Sequence, residues 1–215
     1  MAEFVRARSL EQKQLRMNEI MKTTDKLFSE HTYHEITLTT IAKALHWSRG
    51  NLYKYVTTKE EIFLELYLEK QENYFSAIES AFANKDQLSA TAFVDLWTSV
   101  LAENLDFLQY YSILTTIIET NVSLERLAEF KKKASAGFEP INQILSKHCN
   151  LSLDRAAMLY WALLFHACGL NNVCSINPIV KEAMKMAGLP EFENNFAGDF
   201  HDFMMICLRG YQNND

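Results

Sequence analysis

The sequence is poor in residues that interrupt helices and in patterns that mark strands. Its 215 residues include only 6 glycines and 3 prolines, and Val, Ile and Thr do not form alternating runs. Glycine and proline are the strongest breakers of regular structure, and alternation of apolar with polar residues is the mark of a half-buried strand. These absences favour an all-α protein. The 48% of hydrophobic residues is enough for a substantial core.

The cysteines and apolar runs also limit the class of protein. Four cysteines occur without paired short spacing, at positions 149, 168, 174 and 207, and we expect reduced, buried thiols as in a cytoplasmic protein. Residues 1–16 lack the apolar run of a signal peptide. The longest apolar stretch, Ala156–Cys174, contains His166 and Asn171, so it predicts a core or interface helix and no membrane span.

No catalytic or metal-binding motif is evident in the sequence. We find no Ser/His/Asp catalytic set, no P-loop and no dinucleotide-binding fingerprint in it. The pairs His148-Cys149 and His166-x-Cys168 have no second pair at zinc spacing. We therefore expect no catalytic residue, no metal and no cofactor.

Charge is distributed unevenly along the chain. The net charge is −6, but residues 1–58 hold nine Lys or Arg and six acids, whereas the remainder holds 12 basic and 21 acidic residues. A basic segment on an acidic protein is expected when only one part meets phosphate. The acidic remainder would discourage non-specific binding to DNA.

Residues 37–61 predict a helix-turn-helix followed by the start of a third helix. Thr37 is a good N-cap, and the apolar residues at 38, 41, 42 and 45 have the spacing of one buried helix face. Ser48 is placed to cap a second helix from about Arg49 to Val56. Thr58 and Glu61 have the spacing of a capping box at the start of a long helix. This is an arrangement that lays a short helix in a DNA major groove.

The outward residues of the second helix suit DNA. Arg49 and Asn51 lie in its first turn, which usually meets base edges; arginine fits guanine and asparagine fits adenine. Gly50 lets the backbone approach a sugar-phosphate strand. A mobile arm is expected over residues 1–11, either tracking DNA or functionally silent. The predicted DNA contacts are Arg6, Arg8, Thr37, Thr39, Ser48, Arg49, Gly50, Asn51, Tyr53, Lys54, Tyr55 and Lys59.

Periodicity alone also fits an ordinary pair of amphipathic helices, but the ordered motif is more specific. IMKTTDKLFSEHTYHEIT, IAKAL, SRGNLYKYV and TTKEEIF resemble, in this order, the first to fourth helices of the DNA-binding domain of the TetR family of bacterial transcriptional regulators. The resemblance covers residues 16–66. The usual turn glycine is His46 here, a usual valine is Trp47, the usual phenylalanine is Val56 and the usual proline is Thr57. His46 is expected to adopt a left-handed backbone.

The remaining residues predict a helical body with an apolar interior. Helices are expected over about 59–83, 87–104, 105–120, 123–148 with a break near Gly137, 152–174, 179–187 and 190–212. Their aromatic side chains would either line a pocket for a small apolar or aromatic effector or simply form the core. The candidate ligand residues are Phe93, Trp97, Phe107, Tyr111, Ile118, Trp161, Phe165 and His166.

The last two long helices are more apolar than one core requires. Trp161 and Phe165 on one helix, and Phe200 and Phe203 on the other, belong to a surplus that cannot all face inward. A four-helix interface between two subunits would bury the surplus, and the TetR resemblance implies the same interface.

The sequence thus predicts an all-α homodimer. Residues 1–58 would form a three-helix helix-turn-helix DNA-binding domain with a basic arm, and 59–215 an effector-binding and dimerisation domain. The expected function is that of a ligand-responsive transcriptional regulator, a repressor released by a small molecule from a pseudo-palindromic double-stranded DNA operator. A constitutive DNA-binding dimer, a helical enzyme and a pure interaction protein are the alternatives.

Overall fold

The computed structural model describes residues 2–175, 178–190 and 195–212, and the side chains of 11–175, 178–190 and 195–211. Within these ranges the chain forms eleven α-helices and no strand, which confirms the all-α prediction. The helices are α1 (Ala2–Glu30), α2 (Leu38–Ala44), α3 (Arg49–Leu52), α4 (Lys59–Phe82), α5 (Ala90–Ala102), α6 (Leu105–Ile113), α7 (Leu124–Ser135), α8 (Phe138–Cys149), α9 (Leu153–Cys174), α10 (Pro178–Met186) and α11 (Phe196–Gln212). A π-helical turn, Leu114–Ile118, and a 3₁₀ turn, Glu119–Asn121, follow α6.

Two compact units make up the chain. The head unit comprises Met1–Glu69 and Leu114–Lys131, and the body unit comprises Lys70–Ile113 and Lys132–Asp215. Helix α4 contributes its first half to the head and its second half to the body. The internal segment 114–131 joins the head because Arg126 forms an ion pair with Glu65 and Phe130 packs on Tyr67, with ring centroids 5.6 Å apart.

The head unit has a small aromatic and aliphatic core. Phe63 of α4 packs edge-on against Phe28 of α1 and Tyr33 of the following turn, with centroids 5.1 and 5.0 Å apart. Ile41 of α2 and Leu52 of α3 are also fully buried. Each short helix is therefore fixed by apolar residues on one face, leaving its other face exposed.

The body unit is built around α9, which packs on α6, α8 and α11, while α5 packs on α11 and α8. The inner face of α9 is buried, and its residues are Ala156, Leu159, Tyr160, Leu163, Leu164, Ala167, Cys168 and Asn171. By length and composition this is the one described helix that could cross a membrane. Its buried face instead forms part of a protein core, as the sequence predicts.

Two differences from the sequence-based expectations concern helix ends. The arm expected over residues 1–11 is helical from Ala2 onward and continues into α1, which is consistent with a stretch free of glycine and proline. Helix α6 ends at Ile113, earlier than expected, and gives way to the π-helical and 3₁₀ turns. The predicted break near Gly137 is confirmed, and Pro140 lies in the first turn of α8, where its missing N–H costs no helical bond.

Candidate nucleic-acid interface

The predicted caps hold the two short helices of the head unit. The Thr37 hydroxyl accepts from the Thr40 N–H at 3.1 Å, and the Thr40 hydroxyl accepts from the Thr37 N–H at 2.8 Å. Ser48 accepts from the N–H of Asn51 at 3.2 Å. These bonds satisfy N–H groups that a helix start leaves without partners, so α2 and α3 begin where the sequence indicates.

The turn between α2 and α3 has the backbone expected of it. His46 has a φ of 57°, the left-handed conformation predicted for the residue that replaces the usual glycine. The N–H of Trp47 then donates to the carbonyl of Ala42 at 2.8 Å. This turn connects α2 to α3, and the two helices are in contact.

Helix α3 is anchored on one side and open on the other. Leu52 and Val56 are buried, whereas Arg49, Gly50 and Lys54 are exposed. A Cβ atom added at Gly50 would meet nothing within 4 Å, so the surface is free for the approach of another backbone. The regular helix ends at Leu52 and not at Val56, but the turn continues, with the N–H of Tyr55 donating to the Leu52 carbonyl at 3.0 Å.

The polar side chains of α3 and of the turn that follows it differ in whether they already form contacts within the protein. The Arg49 guanidinium donates to the Tyr53 hydroxyl at 3.1 Å and lies 5.8 Å from that ring's centroid. The side chains of Asn51 and Lys54 have no hydrogen-bond or ion-pair partner in the described part of the chain. Arg49 is thus pre-oriented along the helix, while Asn51 and Lys54 keep all their donors for a ligand.

Lys59 has a different environment from the other predicted DNA contacts. Its ammonium donates to the carbonyls of Tyr33 and Ile36, each at 2.7 Å, and partial burial lowers its pKa. The Tyr33 hydroxyl donates to the neighbouring Glu60 at 2.5 Å, and burial together with this bond raises the pKa of Tyr33. Two residues at the start of α4 therefore hold the turn that follows α1.

The start of α4 also departs from the expected capping box. The Thr58 hydroxyl accepts from the Glu61 N–H at 3.4 Å, as predicted, but the Glu61 carboxylate accepts from the N–H of Thr57 at 2.8 Å. The predicted contacts Thr37, Thr39 and Ser48 are exposed, and Tyr55 is half-buried. The side chains of Arg6 and Arg8 lie outside the described residues.

Family comparisons agree with this geometry. Residues 20–66 match the family model described as bacterial regulatory proteins, tetR family, and residues 68–215 match the model described as tetracyclin repressor-like, C-terminal domain. The chain belongs to the TetR family. It is accordingly a DNA-binding transcriptional regulator, a class that is non-enzymatic. TetR regulators bind DNA operators and typically act as dimers.

Three solved structures share this fold at low sequence identity. A TetR/AcrR family regulator from Thermobifida fusca has 18% identity and a TM-score of 0.56, over 91% of this chain and 98% of that one. The fatty acid degradation regulator FadR from Bacillus halodurans has 15% identity and a TM-score of 0.55, over 88% and 94%. The regulator PfmR from Thermus thermophilus has 17% identity and a TM-score of 0.54, over 88% and 97%. No curated protein matches the sequence.

The body unit of this TetR protein contains a small internal cavity of about 10 Å³. Of the eight predicted ligand residues, Trp97 lines it. The other lining residues are Tyr74, Leu101, Leu108, Tyr160, Leu163, Leu164, Ala167 and Phe200. The Tyr74 hydroxyl is hydrogen-bonded to the side chain of Trp97, and burial raises the pKa of Tyr74. A space of this size holds at most one water molecule.

The remaining predicted ligand residues are dispersed. Phe93 and Phe107 are buried in the aromatic core, and Tyr111 is half-buried beside Phe107. Trp161 and Phe165 stack on each other at 5.8 Å on the exposed side of α9.

The last two predicted ligand residues lie elsewhere again. Ile118 is buried in the head unit. His166 stacks on Phe203 at 3.6 Å, and burial lowers its pKa. Among the eight predicted ligand residues, Trp97 alone is therefore found in the wall of the cavity.

Within the described residues, no group of three His, Cys, Asp or Glu side chains is arranged to hold a metal ion. The four cysteines form no disulfide, and burial raises the pKa of Cys149 and Cys168 to about 12. Both thiols are therefore protonated at neutral pH, which makes them poor nucleophiles.

Proposed function

We propose that this TetR protein is a ligand-responsive repressor that binds a pseudo-palindromic operator as a homodimer. The observation that carries the DNA part is the two-sided character of residues 49–56, in which Leu52 is buried while Arg49, Gly50 and Lys54 face outward. In this proposal Arg49 and Asn51 read base edges. The remaining donors bind phosphate oxygens and set the register. They are the exposed Thr37, Thr39, Ser48, Tyr53 and Lys54 and the half-buried Tyr55.

The proposed dimer interface is the outer face of α9 and α11. Met158 and Phe165 of α9 and Ile206 of α11 are 62%, 59% and 65% exposed. An open apolar groove of about 500 Å³ lies between these helices, lined by Met158, Ile206, Cys207 and Tyr211 among others. Large apolar side chains clustered on one face mark an interaction surface. A second copy would present the same helices and complete a four-helix interface.

The repressor mechanism depends on the distance between the two recognition helices. A two-fold dimer presents them to successive major grooves, about 34–36 Å apart. We propose that an effector binds a body conformation in which this spacing is wrong. The effector must bind that conformation more tightly, since equal affinity shifts nothing. Helix α4 is the proposed connection because it belongs to both units.

The effector we propose is small and apolar or aromatic. The walls of the cavity support this chemistry: Leu101, Leu163 and Phe200 are apolar, and Tyr74, Trp97 and Tyr160 add polar groups that would orient a ligand. Such a ligand would have to enlarge the cavity by separating α5, α6, α9 and α11.

A constitutive DNA-binding dimer without an effector is the second candidate. The observation that favours it is the cavity volume of about 10 Å³, far below the roughly 300–1,000 Å³ of ordinary ligand pockets. A thermal-shift screen with small apolar and aromatic compounds, followed by DNA release, separates the two candidates. Compounds that raise the Tm and release DNA support the responsive repressor. Stabilisation without release, or no stabilisation at all, supports the constitutive dimer.

The DNA-binding function is tested by selection of bound duplexes from a random pool. We expect a two-fold symmetric site, because a two-fold dimer reads two half-sites. Lys54→Ala should weaken binding to the selected and to random duplexes alike. The slope of the logarithm of the binding constant against the logarithm of the salt concentration, called the salt slope below, should become about one unit shallower. Failure to enrich any duplex at low salt would overturn the DNA-binding assignment.

The promoter role needs a separate measurement. Transcription from a template carrying the selected site should fall when the protein is added. A rise would make the protein an activator.

A further inference from the structure

A polar cleft of about 760 Å³ lies beside the recognition helix, within the head unit. One wall is the N-terminal half of α1, with Gln12, Lys13 and Arg16, and the other wall is the turn after α3, with Lys54 and Tyr55. The cleft is open, and most of its residues are exposed. Helix α1 and the turn after α3 thus form the two sides of one cleft.

The cleft has an excess of positive charge. Arg16 is paired with Glu19 at 2.6 Å, but Lys13 and Lys54 have no acidic partner in the part of the chain that the structure describes. The Tyr55 hydroxyl and the Gln12 amide are likewise without protein hydrogen bonds there. Two ammonium groups, a phenol and an amide are therefore available to one anionic ligand, and phosphate oxygens are the acceptors that such donors suit.

An aromatic bridge holds the two walls of the cleft together. The guanidinium carbon of Arg16 lies 5.5 Å from the centroid of the Trp47 ring, and that ring is 5.7 Å from the ring of Tyr55. Contact of a guanidinium with an indole face is favourable. A valine at position 47 would be too short to contact both Arg16 and Tyr55. Trp47 therefore supports the cleft from behind its two walls, although it does not line the cleft itself.

The cleft is continuous with the surface assigned to DNA. Lys54 lies one helical turn beyond Asn51 and belongs to both surfaces. A sugar-phosphate strand that borders the major groove occupied by α3 would pass Lys54 and then meet Lys13. A volume of about 760 Å³ exceeds the needs of a single phosphate ion and suits a length of strand.

We propose that this cleft binds the DNA backbone flanking each half-site, with Lys13 and Lys54 as its cationic contacts and Trp47 as a positioning residue. The inference rests on the proposed DNA-binding function and enlarges the footprint of each subunit beyond the recognition helix. It assigns to α1 an electrostatic role and no role in reading bases.

The test compares Lys13→Gln with Lys22→Gln in the full-length protein. The two lysines are nine residues apart on α1, so they lie on opposite faces of the helix. The probes are the selected operator duplex and a random duplex, each titrated over a range of salt concentrations. We expect Lys13→Gln to weaken both complexes several-fold and to lower the salt slope by about one, while Lys22→Gln leaves both unchanged.

Ethylation interference gives an independent readout. Ethylated phosphates just outside each half-site should block binding of the wild-type protein and have less effect on Lys13→Gln. Trp47→Val should lower affinity in the wild-type background and have less effect once Lys13 is replaced, because both changes remove the same contact. Equal slopes for the two lysine variants with an unchanged interference pattern would overturn the inference. The protein would still bind DNA, so this outcome differs from a failure of the proposed function.

Competition with inorganic phosphate shows whether the cleft binds a DNA strand or a free phosphate ion. If millimolar phosphate competes for the cleft and abolishes the difference between Lys13→Gln and Lys22→Gln at constant ionic strength, the site is a phosphate-ion site and the proposal of a DNA strand is overturned. An unchanged difference supports it.

Discussion

The ammonium of Lys59 lies over the ring of Tyr33, 3.7 Å from its centroid, and donates to the carbonyl of the same residue. The side chain thus ties the start of α4 to the turn after α1. A lysine in this position was expected to reach phosphate, but its donors are directed to the protein. Lys59 and Lys54 are therefore expected to respond differently to substitution.

Lys59→Met should destabilise the protein without altering the electrostatics of DNA binding. Loss of hydrogen bonds from a charged donor to two carbonyls is expected to lower the free energy of unfolding by about 1–3 kcal/mol, measured by urea denaturation. The salt slope of DNA binding should remain that of the wild type. Lys54→Met is the matched control and should show the reverse pattern. A lower slope with unchanged stability in Lys59→Met would make Lys59 a phosphate contact.

Asn51→Ala should relax the sequence preference at one operator position in each half-site. The Asn51 side chain has no protein partner in the described residues. Its backbone N–H donates to the Ser48 hydroxyl, a bond that the substitution leaves in place. The loss should be about 1–3 kcal/mol against the preferred base and little against the others. Selection with the variant measures this directly. Uniform weakening across all sequences would assign Asn51 to the backbone instead.

How much of this interface is visible in the sequence depends on the kind of signal. Caps and the buried positions of short helices are local, so the pattern of residues 37–61 predicts them. The left-handed turn at His46 is predicted by the family resemblance, because a glycine usually occupies that position. The bonds of Lys59 join residues more than twenty positions apart. No local spacing indicates such a contact, and a lysine at a helix start looks the same whether it faces phosphate or a carbonyl.

The sequence does not correctly indicate which face of α9 is turned toward the core. A helix that is apolar on every side gives no contrast from which to choose its inner face. Tyr160 lines the cavity, whereas its neighbour Trp161 is exposed. The buried residues Leu159, Tyr160, Leu163 and Leu164 follow the i, i+1, i+4, i+5 pattern of one stripe, and that spacing was the available signal. Size and aromaticity, which favoured Trp161 and Phe165, do not report direction.

His148→Gln should flatten the dependence of stability on pH. His148 is buried, its Nδ1 accepts from the Leu88 N–H at 3.3 Å, and it stacks on Phe93. Burial, with a smaller contribution from Lys147, lowers its pKa. The unfolded chain thus binds the proton more readily, so stability is full above the ordinary histidine pKa of about 6.5 and falls as the pH drops below it.

Urea titrations of both proteins between pH 7 and pH 5 measure this effect. Glutamine keeps an acceptor for Leu88 but does not titrate. His166 also has a lowered pKa and remains in both proteins, so only the difference between the two curves reports on His148. Parallel curves would show that His148 keeps its ordinary pKa in the folded state.

Gly137→Ala should destabilise the body unit. A Cβ atom at this position would lie 2.7 Å from Cδ2 of Phe75. The Phe75 ring is itself packed against the rings of Phe138 and Tyr160, with centroid distances of 5.3 and 6.1 Å. An overpacked core of this kind typically costs about 1–3 kcal/mol, read from urea denaturation. In a Phe75→Leu background the added methyl group should cost less. An equal cost in both backgrounds would place the strain elsewhere.

Phe165→Glu should convert the proposed dimer into monomers. Phe165 is exposed and stacks on Trp161 along the outer face of α9, so in a four-helix interface its replacement would bury an unpaired charge. Sedimentation should give the dimer mass for the wild type and the monomer mass for the variant. Operator affinity should fall as well, because each half-site would then be bound alone. Gln87→Glu adds the same charge at an exposed position before α5 and should leave the dimer intact. A dimeric Phe165→Glu protein would move the interface away from this part of α9.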